Sequence, residues 1–216
     1  MVPTLCNEAN QGRCNCGDES QGFTTYTFWV KDQQRCFTVY LPESDMPLPV
    51  MIYSHCYSKD RLSGIAMTSV NQADNKMARR YGFARIGIST PDGNWEFGNN
   101  GIVNDEKPMP CSDEDSKDMI YTRAIFDFIK SDQRFDASRI WTEGFSQNSM
   151  FSAYIGFCFG VNGIYQGGSG MALTGQLPNL PGKFEFKIYF SFLEERLLNI
   201  FYSLSSTSIY VRFHRL

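Results

Sequence analysis

From Phe23 to Val30 the chain reads F-T-T-Y-T-F-W-V, an alternation close to period two that predicts a half-buried strand. Cys36 to Leu41 (C-F-T-V-Y-L) repeats it, and the few residues between the two runs predict a hairpin. Val50 to Tyr53, a short apolar run after a proline-rich turn, predicts a buried strand. From about Ser69 to Tyr81 the period becomes helical, with Met77 and Ala78 expected inward and Arg79 and Arg80 outward. Phe83 to Ile88 predicts another strand. Asp118 to Lys130 then carries Ile120, Ala124, Ile125, Phe128 and Ile129 on one helical face. Arg139 to Thr142 predicts a strand, Gln147 to Phe157 a helix, and Val161 to Tyr165 a further strand. Strands alternating with amphipathic helices specify an α/β fold, a mostly parallel sheet with helices on both faces.

The chain has 216 residues, enough for one domain with a sizeable core. Hydrophobic residues make up 42% and charged residues 20%, a mix that excludes a disordered polymer. No uninterrupted apolar run is long enough for a transmembrane helix, so no membrane partner is expected. The net charge is -3 and the basic residues are scattered, which argues against a nucleic-acid partner.

Seven cysteines stand at Cys6, Cys14, Cys16, Cys36, Cys56, Cys111 and Cys158. The four cysteines of the first 36 residues have neither paired C-x-x-C spacing nor a histidine near them, so no metal site and no cofactor are expected. Disulfides in a secreted protein are the better reading. The count is odd, so one thiol lacks a partner within the chain or a segment is missing. The start Met1-Val2-Pro3-Thr4 carries no apolar signal core, and a signal peptide is expected outside this sequence. A long connection from Ser89 to about Ser116 holds Trp95, Phe97 and an acidic run; connections of this length are usually functional or disordered. Asp113, Glu114, Asp115 and Asp118 match no calcium-loop spacing and read better as a solvated acidic loop.

Gly144-Phe145-Ser146-Gln147-Asn148 falls between the R-I-W-T strand and the next helix. A sharp strand-to-helix turn lifts a serine hydroxyl off the sheet, and the helix N-terminus favours developing negative charge. Ser146 is therefore the candidate nucleophile and the backbone N–H of Gln147 an oxyanion donor. The alternative is a capping serine in a structural turn. Gly-x-Ser also occurs at Ser89 and Ser169, but only Ser146 has a strand before it and a helix after it. Asn148 stands where a small residue is expected for close helix–strand packing. The second oxyanion donor is expected from the loop Ser54-His55-Cys56-Tyr57, as the backbone N–H of Cys56 or Tyr57, with His55 as scaffold.

These residues carry a family resemblance. It rests on the Cys-rich head, R-C-F-T-V-Y-L-P, the His55 loop, Y-G-F-A-R-I-G, T-P-D-G-N-W, the elbow E-G-F-S-Q-N-S-M and Y-Q-G-G-S-G-M-A-L. The run from Phe23 to about Leu173 resembles the secreted polyhydroxybutyrate depolymerase and feruloyl esterase-like branch of the α/β-hydrolases. The resemblance implies an α/β-hydrolase-like sheet and hydrolysis of carboxylic esters, with a polyester or a plant cell-wall ester as substrate. It carries over Ser146 as nucleophile and Gln147 as oxyanion donor. Trp95 and Phe97 would wall an acyl or aryl pocket or, equally, anchor their loop by packing.

Such a hydrolase needs Ser, then Asp or Glu, then His, in chain order. After Ser146 the chain has no aspartate; it has Glu185, Glu194, Glu195 and a single histidine, His214. Two readings compete for residues 183–216. In one the tail is native, with a strand from Lys183 to Phe190, a helix over Glu194 to Leu204, a strand from Ser208 to Phe213, and His214 just past a strand end. In the other it is read-through sequence and the sheet lacks its last strands. The second is favoured: the tail has nine aromatics in 34 residues and no Gly, Pro, Asp or Cys, and Gly182-Lys183-Phe184 can be encoded across a GTAAGT splice-donor consensus. The expected organisation is a Cys-rich segment over 1–21, a partial hydrolase domain over 22–182 and an atypical tail over 183–216. The rival function is a non-catalytic secreted binding protein on the same scaffold.

Overall fold

The computed structural model of the chain describes residues 2–12, 14, 16, 23–54, 72–91, 95, 111, 116–145, 147–167, 185–191, 197–205 and 208–215. Its strands are β1 (Thr4–Leu5), β2 (Phe23–Val30), β3 (Gln33–Tyr40), β4 (Leu48–Ser54), β5 (Ala84–Ile88), β6 (Phe135–Phe145), β7 (Gly163–Gly167), β8 (Glu185–Ser191), β9 (Leu197–Ser205) and β10 (Ser208–Arg215). The described helices are α1 (Gln72–Tyr81), α2 (Lys117–Ser131) and α3 (Gln147–Phe159). All strands join one sheet in the order β1-β2-β3-β5-β4-β6-β7-β8-β9-β10. β5, β4, β6, β7 and β8 run parallel, and antiparallel strands flank them on both sides.

The period-two pattern explains which face each helix covers. Phe28, Val30, Phe37, Val39, Val50, Ile52, Ile86, Ile88, Ile140 and Ile164 share one core with α2 and α3. The opposite parity sends Phe23 and Tyr40 to the other face, where they pack with Phe83 on Ala78 of α1. Helices therefore cover both faces, as expected. Met77 does not point inward: it is 52% exposed, whereas Asn75 and Ala78 are buried. α1 rests on the sheet through the small Ala78, and at helical spacing the preceding residue falls on its rim.

The hairpin closes more tightly than the sequence suggests. Val30 pairs with Gln33 across the turn Lys31-Asp32, with Lys31 at φ 53, so β3 begins at Gln33 rather than Cys36. Gly82 and Gly160 take the left-handed conformation just past α1 and α3, at φ 68 and 67, and turn the chain back into the sheet. α2 starts where Ser116 Oγ accepts from the Met119 N–H at 3.3 Å. In the tail, the helix expected over Glu194 to Leu204 is replaced by β9. Its Leu, Ile, Phe and Tyr side chains suit a strand, and β8 and β10 hydrogen-bond to it on both edges.

Disulfides join Cys6 to Cys16, Cys14 to Cys36 and Cys111 to Cys158. The first closes the N-terminal head on itself, the second fastens that head to β3, and the third ties the long connection to the end of α3. Cys56 lies outside the described residues. No described helix is long and apolar enough to cross a membrane.

α3 sits close on β6 and β7. A Cβ on Gly156 would lie 2.7 Å from Ile164 Cγ1 and 2.9 Å from Thr142 Oγ1. Gly156→Ala should therefore destabilise the fold. Overpacking costs about 1–3 kcal/mol and exceeds the 0.5–1 kcal/mol or so gained by replacing a helical glycine. Urea unfolding checks the sign.

Candidate active site

β6 ends at Phe145 and α3 begins at Gln147, so a single residue, Ser146, makes the passage from strand to helix. Ser146 itself lies outside the described residues. The turn stands at the C-terminal edge of the parallel strands, where the first turn of α3 presents unpaired backbone N–H groups. That turn carries no acidic side chain of its own to offset the positive end of the helix dipole.

Beneath the turn the packing is close. A Cβ on Gly144 would lie 2.5 Å from Ser152 Oγ and nearer still to the Asn148 carbonyl oxygen. Gly144 and Gly156 thus supply the close approach that a small residue at position 148 was expected to give. Asn148 is fully buried, and among the described residues its side-chain amide makes no hydrogen bond. β4 runs beside β6 with Ser54 opposite Gly144, so the segment that leaves β4 starts next to the elbow. His55, Cys56 and Tyr57 lie outside the described residues.

Three polar side chains unremarked in the sequence hold this region. Ser54 Oγ and Ser152 Oγ are 2.6 Å apart. Ser152 Oγ donates to the Glu143 carbonyl at 2.6 Å, and Thr142 Oγ1 donates to the Ser152 carbonyl at 2.9 Å. The small residues Ser149, Ser152, Ala153 and Gly156, spaced as one helical face, were the available signal for α3 lying directly on a strand.

The tail histidine stands apart from this turn. Pairing across the sheet aligns Glu143, Tyr165, Tyr189, Asn199 and His214 in one row. Four inter-strand steps separate His214 from β6, about 19 Å at about 4.8 Å each. A base must come within about 3 Å of the hydroxyl it deprotonates. His214 lies within β10 rather than past its end. Glu185 begins β8, at the sheet edge opposite to the elbow. Glu194 and Glu195 lie outside the described residues.

Trp95 is 4% exposed and stacks on Phe151 of α3, with ring centroids 3.9 Å apart. That position offers a ligand little surface and anchors the long connection to α3. Phe97 lies outside the described residues. Asp113, Glu114 and Asp115 do as well, and Asp118 is paired with Arg35 at 2.6 Å. A cavity of about 540 Å³ lies on the α1 face, lined by Met51, Met77, Arg85, Trp141, Glu143 and Tyr165 among others. It also reaches Phe83 and Asn162, beside the N-terminal ends of β5 and β7.

No protein-family model and no curated protein matches the chain. Solved structures do. The fluorophosphonate-binding serine hydrolase F of Staphylococcus aureus, substrate bound, is 12% identical with a TM-score of 0.50, over 67% of this chain and 56% of that one. An S-formylglutathione hydrolase from Agrobacterium tumefaciens is 17% identical with a TM-score of 0.49, over 77% and 61%. A ferulic acid esterase is 16% identical with a TM-score of 0.47, over 67% and 57%. The chain spans less than two thirds of the length of these structures. What the chain shares with the serine hydrolase is its fold, an α/β-hydrolase-like sheet with helices on both faces.

Proposed function

We propose that the chain is a secreted, serine-dependent carboxylic ester hydrolase of polyester-depolymerase or feruloyl-esterase type, whose acid–histidine relay is not assembled on its nucleophile. The single-residue passage from β6 to α3 at Ser146 carries this reading. Ser146 Oγ adds to the ester carbonyl carbon and gives up its proton to a base. The oxyanion accepts from the N–H of Gln147 and from that of Cys56 or Tyr57. Collapse expels the alcohol, and water then releases the acid from the acyl-serine. With His214 about four strand spacings from β6, no histidine among the described residues is placed to take the proton, and slow turnover is expected.

Chemical rescue tests this. Added imidazole should raise hydrolysis of p-nitrophenyl acetate about tenfold or more in the folded chain, within the range of general-base catalysis. In Ser146→Ala the rate should rise no more than in buffer alone. Equal rates in the two proteins with imidazole would overturn the nucleophile assignment. They would favour the rival reading, a non-catalytic binding protein, to which the distance of His214 also points. A high Ser146-dependent rate without imidazole would keep the nucleophile and overturn the missing relay.

A further inference from the structure

We infer that β10 is the docking edge for a second copy of the chain, which pairs with it antiparallel about Val211 and closes a twofold dimer. The two ends of the sheet differ. β1, at one end, is two residues long. β10, at the other, runs for eight residues, Ser208–Arg215, and among the described residues no strand pairs with its outer side. A strand of that length at a sheet edge is a template for another chain.

The register with β9 decides which backbone groups face outward. Ser205 and Ser208 are partners across a connection of only two residues, 206–207. Partners that close so short a connection exchange hydrogen bonds with each other, and along an antiparallel ladder bonded and non-bonded pairs alternate. Ser208, Tyr210, Arg212 and His214 therefore bond to β9. Ile209, Val211, Phe213 and Arg215 turn their backbone N–H and C=O groups away from it.

A second copy of the same strand fits this row. With a twofold axis perpendicular to the sheet at Val211, that residue stands opposite its own copy, and Ile209 of each copy stands opposite Phe213 of the other. All of these belong to the outward-bonding set, so the three pairs exchange about six hydrogen bonds, two per pair. Between them Tyr210 stands opposite Arg212, and at the ends Ser208 stands opposite His214. Apolar residues therefore meet apolar ones, and each basic residue from Ser208 to His214 meets an uncharged one. Moving the axis to Arg212 keeps outward-bonding pairs but sets Arg212 opposite its own copy, and like charges directly opposite destabilise a ladder. Charge selects the Val211 register. Pairing uses β10 of both copies, so association stops at two.

Sedimentation velocity from low to high micromolar concentration tests this, with the circular dichroism spectrum and thermal midpoint of each variant recorded alongside. The chain should sediment as a monomer–dimer equilibrium. Val211→Pro removes an N–H that β9 does not use, at an edge position where proline is tolerated. Its spectrum should match that of the wild type and its dimer Kd should rise at least about tenfold, because symmetry removes the bond twice. Two further variants keep every N–H and decide the matter even if the proline variant fails to fold. Tyr210→Glu sets a carboxylate opposite Arg212 at two places in the dimer and should lower Kd about fivefold; Tyr210→Lys should raise it by a similar factor. A chain that stays monomeric at every concentration overturns the inference, and so do assemblies larger than a dimer. A dimer whose Kd is unchanged in a folded Val211→Pro overturns the docking edge. A dimer that responds alike to Tyr210→Glu and Tyr210→Lys overturns the pairing about Val211.

Discussion

Replacing Asp118 by asparagine should lower the free energy of unfolding by about 3–5 kcal/mol, the usual cost of leaving one member of a buried ion pair alone. Arg35 Nη1 lies 2.6 Å from Asp118 Oδ1, with both side chains at most 2% exposed. Arg35 sits on β3 with the parity of Phe37 and Val39, facing α2. Its Nη2 donates to the Ser89 carbonyl at 3.1 Å, and its guanidinium lies 4.1 Å from the centre of the Tyr121 ring. Burial holds the Tyr121 phenol above its ordinary value of 10.0, so it stays a neutral donor, bonded to the Cys36 carbonyl. Asparagine keeps the shape of Asp118 and removes its charge, leaving a buried guanidinium whose remaining partners among the described residues are neutral. Thermal unfolding followed by circular dichroism should show a midpoint lower by roughly 10 °C for a chain of this size. Replacing Arg35 with methionine and Asp118 with leucine together should recover much of that loss, since removing both charges removes the desolvation penalty. A loss below about 1 kcal/mol for Asp118→Asn would mean that the pair does not govern this part of the core.

The parts legible in the sequence were those in which the local pattern and the tertiary environment agree. Phe23 to Val30 alternates because one face meets the α2 core while the other carries Phe23 to α1 and Thr27 to Cys14 of the head, and the strand forms over that same span. The strand-to-helix boundary at position 146 was legible because the R-I-W-T run before it and the apolar run after it differ in period, and β6 and α3 do bracket that position. Met77 was misplaced because both neighbouring positions fit a helical face, and only the seat of Ala78 on Phe23, Tyr40 and Phe83 decides between them. The run from Glu194 to Leu204 has apolar residues at helical and at alternate spacings, so pairing with β8 and β10 decided it. The disulfide partners and the Ser54–Ser152 contact are long-range pairings that no local pattern encodes. The separation of His214 from the elbow likewise depends on strand order, since nearness to a strand end says nothing about which strand lies beside β6.

Removing the Cys111–Cys158 disulfide should cost about 4 kcal/mol, from the chain entropy of a closed loop this long. The cysteines are 47 residues apart, against 10 for Cys6 and Cys16, whose loss should cost about 3 kcal/mol on the same basis. The bridge also has a native-state role. The connection between β5 and α2 is fixed at Ser89 by Arg35, at Trp95 by Phe151, at Cys111 by the bridge and at Ser116 by the cap of α2. Arg123 Nη2 adds a bond to the Cys111 carbonyl at 3.0 Å. These remaining anchors should hold the folded connection nearly unchanged when both cysteines become alanine. The effect then falls mainly on the unfolded chain, which becomes more expanded and exposes more surface. Urea unfolding of the double alanine variant should accordingly show a lower midpoint together with a larger m-value. A lower midpoint at unchanged m-value would place the loss in the native state instead, in the hold of the bridge on the far end of α3.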